Sequence, residues 1–176
     1  MPYYKLTDHN GRTRNNTQWG PGVRHEATGK GERLCSDGWI HCYPDKYLAV
    51  LRNPCDVNFD RPQCWVFEPE GESLIEPLKC GFKAGMTIKR VPVPRFTTNQ
   101  RIVFAILCAK AAPDWKGKDK WIVWADKWLS GEDRTAATWA AEAAWAAWAA
   151  DAAAAARADI DFPSLARQAY QWKDAE

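Results

Sequence analysis

At 176 residues the chain is long enough to bury a core, as one ordinary domain or as two small ones sharing an interface. Its 24 Lys and Arg against 22 Asp and Glu leave a formal charge of +2, far from the basic excess of proteins that neutralise a phosphate backbone, so nucleic acid is not favoured as a partner. Charged residues interrupt each apolar run short of bilayer length, and Met1-Pro2-Tyr3-Tyr4-Lys5 opens no signal-peptide stretch, which argues against a membrane partner and for a cytosolic location.

Tyr3 to Asp8 reads as a first strand. His9-Asn10-Gly11 is a turn signal, since Asn and Gly tolerate the positive φ of a tight hairpin, and a short return strand through Arg12 to Arg14 is expected. From Asn15 to Arg33 the polar sequence, with Gly20-Pro21-Gly22 and Gly29-Lys30-Gly31, predicts a long surface loop. Asp37-Gly38 turns into a short strand ending at Tyr43, and Pro44-Asp45 opens a short helix through Leu51, because a proline in the first turn loses no hydrogen bond. Cys64 to Glu68, Leu74 to Leu78 and Met86 to Val91 read as strands, the last ended by Pro92 and Pro94.

The second half is helical in pattern. Thr97-Thr98-Asn99-Gln100 has capping-box spacing, and Ile102, Ala105, Ile106 and Ala109 recur at helical intervals; a buried strand at Ile102 to Leu107 is the competing reading. A linker from Pro113 to Lys120 leads to a helix on which Trp121, Trp124 and Trp128 share one face that needs covering. Of the 23 residues from Ala136 to Ala158, 16 are alanine. A helix of about 26 residues, roughly 39 Å long, is expected from Asp133 onward, with acidic residues at its positive end. On it Trp145 and Trp148 share a side and Trp139 faces the other way, so neighbours are expected on both. The tract reads as a packed structural helix, as a surface for homo-oligomer formation, or as low-complexity filler; Glu142 and Asp151 count against a membrane span. Asp161-Phe162-Pro163 caps a last helix striped by Phe162, Leu165, Ala166, Ala169 and Trp172. The expected fold is α+β: a small mixed or antiparallel sheet in residues 1–96, packed against a helical hairpin or small bundle in residues 97–176.

Six cysteines without a leader read as reduced thiols. No C-x-x-C or H-x-x-x-H pair is present, and His41 and Cys42, adjacent on a strand, point to opposite faces, so no metal site is expected. Triad, G-x-x-x-x-G-K and G-x-G-x-x-G patterns are likewise missing. His41 beside Trp39 and Tyr43 is either a general base or a hydrogen-bonded part of a core edge. Trp19, on a polar loop, docks either onto a ligand or into the protein's own core.

Tyr4-Lys5-Leu6-Thr7-Asp8, followed by Leu34-Cys35-Ser36-Asp37-Gly38-Trp39-Ile40-His41, resembles a family of uncharacterised domains common in tailed-phage proteomes, with a leading Tyr-Lys strand, a variable loop and a Leu-Cys box closing on Gly and His. The alanine- and tryptophan-rich tail after Trp128-Leu129-Ser130-Gly131-Glu132-Asp133-Arg134 is similar to tails of phage proteins, some labelled as immunity proteins. The resemblance implies an accessory protein in the cytoplasm of a bacterial host. It would bind without a cofactor and without turnover, sequestering a nucleotide-like signal or blocking a host defence protein, with Lys5, Arg12, Trp19, Arg24 and His41 as ligand contacts. A virion or structural component is a further alternative.

A more distant likeness is to ADP-ribosyltransferases, which would use NAD. It fits Lys5 or Arg12 to an early basic position, His41 and Tyr43 to the strand beneath the nicotinamide, and Glu68 or Glu70 to the glutamate that polarises the ribose. Glu68-Pro69-Glu70-Gly71-Glu72 is also what an acidic turn after a strand looks like.

Overall fold

The computed structural model describes residues 2–113, 118–134 and 159–173. The chain is α+β and divides into two compact units, Met1–Arg95 and Phe96–Glu176. The first holds β1 (Tyr3–Thr7), β2 (Val23–Glu26), β3 (Ile40–Cys42), α1 (Lys46–Asp56), β4 (Gln63–Ile75) and β5 (Cys80–Val91). All strand pairs are antiparallel: β1 pairs with β4, β4 with β5, and the far edge of β5 carries both β2 and β3. Tyr43, just past β3, exchanges two main-chain hydrogen bonds of 2.8 Å with Tyr4, so the sheet curls until its first strand meets its third.

That curl makes the core. Ile40 and Cys42 from β3, Phe67 from β4, and Cys80 and Phe82 from β5 pack with Trp19, and Tyr3 of β1 leans on them. A second cluster of Leu6, Tyr43, Ala49 and Cys64 forms where α1 packs on β1. Strand approach is close enough to need a glycine at position 85, where a Cβ would lie 2.2 Å from the Phe67 ring and 2.7 Å from the Glu68 carbonyl oxygen.

Several local expectations are corrected by pairing that acts at a distance. The expected strand Cys64–Glu68 belongs to a longer one, β4, which also takes in Leu74 and Ile75, while Glu76 to Leu78 of the expected strand Leu74–Leu78 lie in the turn to β5; the register of β4 on β5 shifts at Val66/Phe67 and again around Gly71 (φ +74°). No return strand follows Gly11; Arg12 bridges to Gln18 around a short 3-10 turn in which Asn15 and Asn16 take positive φ. The long loop contains β2, which exists because β5 offers it an edge. The helix after Asp45 continues past Leu51 to Asp56, through an exposed Pro54.

In the second unit α2 (Thr98–Ala111), α3 (Lys118–Ser130) and α4 (Phe162–Gln171) form a small bundle, with α2 packed on both others. The capping box forms: Thr97 Oγ1 accepts the Gln100 N–H, and Gln100 Oε1 accepts the Thr97 N–H, both at 3.1 Å. Gln100 Nε2 also donates to the Tyr170 and Trp172 carbonyls, tying the start of α2 to the end of α4. Ile102 to Leu107 is therefore helix, not strand. Trp121 and Trp128 are buried, Trp124 is half-buried, and Trp128 stacks on Trp172 with ring centroids 5.9 Å apart. The expected alanine helix with Trp139, Trp145 and Trp148 lies outside the described residues. No helix among the described residues is long and apolar enough to cross a membrane.

Candidate functional site

Strand alternation places Lys5 among the residues that fill the curl, between Tyr3 and Thr7. Only 6 % of it is exposed. Its Nζ donates to the His41 carbonyl at 2.9 Å and stands 4.5 Å from the Trp19 ring centroid and 6.0 Å from that of Phe67. Burial disfavours the charged form and brings the ammonium down to about 8, partly opposed by the neighbouring Cys42. Trp19 itself is buried, with Nε1 donating to Thr13 Oγ1 at 3.0 Å and its ring meeting His25 edge-on at 4.5 Å. The loop tryptophan thus docks into the protein's own core.

His41 lies on the opposite side of β3 from Cys42, half-buried, and its Nε2–H donates to the Leu34 carbonyl. Burial first, then the positive charges of Lys5 and Lys79, hold its imidazole near 4, so it is neutral at pH 7. Two residues on, the Tyr43 hydroxyl donates to Asp56 Oδ2 at 3.0 Å, and burial pushes the phenol well above its usual range. Asp56 closes the last turn of α1, where Arg52, one turn earlier, donates to Oδ1 at 3.0 Å. Lys79, from the β4–β5 turn, stands 3.8 Å from the same oxygen and donates to the exposed Cys35 Sγ at 2.9 Å. On the same hairpin Lys83 donates to the Gly38 carbonyl at 3.0 Å and lies 4.0 Å over the ring of half-buried Trp39.

The structure brings Lys5, Trp19 and the His41 main chain together, and sets Tyr43 against Asp56. The other candidates go elsewhere. Glu68 is exposed, and Glu70 Oε2 is taken up by Arg24 of β2, through Nε at 2.9 Å and a terminal nitrogen at 2.8 Å. Arg12 is exposed beside the first turn and donates to Gln18 Oε1 at 3.2 Å. Asp56, Arg52, Lys79, Cys35, Trp39 and Lys83 were not among the expected site residues. The Arg52/Asp56 spacing of one helical turn is the signal that would have found the first two, had the helix been continued past Leu51.

None of the six cysteines is joined in a disulfide. Burial pushes the Cys64 thiol up to about 12 and Cys80 up to about 11, and raises Cys42 further, while Cys35 and Cys55 are exposed. Among the described residues no group of three or more His, Cys, Asp or Glu side chains is placed to hold a metal ion. Compared with protein-family models, with curated proteins and with solved structures, the chain matches none.

Proposed function

We propose that this chain acts by binding and not by turnover, as an accessory protein of the tailed-phage kind that sequesters a nucleotide-like signal of host defence. The observation that carries the reading is the pair of Trp39 and Lys83: an ammonium 4.0 Å over a half-buried indole, on the loop segment that Lys79 also reaches through Cys35. An indole with an ammonium over one face suits a ligand with a planar base and an anionic group, since the other face can stack a base while Lys83 attracts the phosphate. The state of His41 supports binding over catalysis. A neutral imidazole held near 4, with Nε2–H already given to Leu34, has little drive to take a proton at neutral pH.

Calorimetric titration with cyclic mononucleotides, cyclic dinucleotides and NAD tests this. One of the cyclic nucleotides is expected to bind at micromolar concentration, and Lys83→Glu is expected to weaken it about tenfold or more. Absence of binding by a correctly folded protein would sink the reading. Transfer of label from NAD to host proteins, or release of nicotinamide, would favour the transferase alternative instead. Capture of a host defence protein without any nucleotide would move the target from a small molecule to a protein.

A further inference from the structure

The contact between Cys35 and Lys79 joins chain segments far apart in sequence, the loop ahead of β3 and the turn between β4 and β5. Lys79 is mostly enclosed, with 17 % of its side chain exposed. Its carboxylate neighbour is shared: Asp56 already accepts from Tyr43 on one oxygen and from Arg52 on the other, both at 3.0 Å, and Lys79 stands back at 3.8 Å. The nearer partner of the amine is the sulfur, at 2.9 Å. Of the six thiols, four are buried and two are exposed, and Cys35, one of the exposed pair, has an amine in contact.

We propose that Cys35 and Lys79 form a reversible covalent bridge when the protein meets a peroxide. The chemistry balances in two steps. Hydrogen peroxide transfers one oxygen to the Cys35 thiol, giving the sulfenic acid and water, so sulfur is oxidised and peroxide reduced. The neutral Lys79 amine then attacks that sulfur, forming the S–N bond; hydroxide leaves and takes the proton that nitrogen gives up, as a second water. A thiol reductant reverses it: its thiolate attacks sulfur to form a mixed disulfide as the S–N bond breaks and the amine regains a proton, and a second thiol then displaces Cys35 as the free thiol. The bridge staples the loop 35–39 that carries Trp39 to the hairpin that carries Lys83. Neither the chemistry nor its test depends on what, if anything, binds there.

Purified full-length protein treated with stoichiometric hydrogen peroxide in mildly alkaline buffer is the test. The expected result is an intact mass lower by two hydrogens, a peptide linking residues 35 and 79, and recovery of the starting mass in dithiothreitol. Cys55→Ser should bridge as the wild type does, which separates the bond from a Cys35–Cys55 disulfide. Lys79→Arg retains a cation for Asp56 but not a nucleophilic amine, and should carry Cys35 on to the sulfinic acid once a second equivalent of peroxide is supplied. A wild-type protein whose Cys35 gains oxygens while residue 79 remains unmodified, or whose mass loss maps to a disulfide, overturns the proposal without reference to any variant.

Discussion

Lys5 is a cation enclosed by Trp19 and Phe67 with a main-chain oxygen as its acceptor. Such a group makes the fold sensitive to pH in a direction opposite to that of the buried thiols. Its native value, near 8, lies below the unfolded value of 10.5, so the unfolded chain holds more protons between the two. The penalty for burying the charge is complete below pH 8 and is relieved as pH rises toward 10.5. Cys64 and Cys80 run the other way: raised to about 12 and about 11, they contribute fully below pH 9 and lose that contribution above it. Lys5→Met isolates the lysine. In paired urea melts from pH 7 to 10, wild type should gain on the variant by up to about 3 kcal/mol across the range, whereas a difference independent of pH would refute it. Facing Lys5 are His41 and Cys42 from β3, with Cys80 from β5 near Cys42, and both proteins share them. The sequence marked Lys5, Trp19 and His41 as notable, but not why. That they meet follows from β1 pairing with β4 and closing onto Tyr43, which no local pattern encodes.

Among the elements, those defined by neighbouring residues were readable and those defined by distant partners were not. The two helix starts are local: Asp45 Oδ1 accepts the Tyr47 and Leu48 amides at 2.7 and 3.2 Å, and Thr97 with Gln100 closes a reciprocal box. Asp45→Ala and Thr97→Ala are each expected to lower stability by about 1 kcal/mol in denaturant melts, with a larger loss for the buried Asp45. Equal and negligible effects would show that neither cap matters. The helix expected through Leu51 runs on to Asp56 with Pro54 inside it. Beyond Pro54 the end of the helix is held by Asn53, its main chain accepting from Val57 and Asn58 and its side chain exchanging two hydrogen bonds of 3.0 Å with Phe59. β2 was missed because Val23 to Glu26 has little strand character of its own and is made a strand by the open edge of β5.

At the scale of the molecule, each unit carries its own core, one centred on Phe67 and the curled sheet, the other including Phe162, Ala166 and Ala169 of α4 and Trp128 of α3. Truncating a fully buried phenylalanine removes packed area and leaves a cavity worth about 3–5 kcal/mol. Phe67→Ala should accelerate amide exchange throughout β4 and β5, and Phe162→Ala throughout α2 and α4, each leaving the other unit's protection nearly unchanged. Equal loss in both units from either substitution would show one cooperative body. The curl that brings Tyr4 to Tyr43 also orders events in time. A chain made from its N-terminus has β1 long before β4, so Tyr3 to Thr7 must wait beside the ribosome with Lys5 fully hydrated. The ammonium sheds that water when Trp19, the His41 carbonyl and Phe67 close around it, so its desolvation waits for partners drawn from across the sheet.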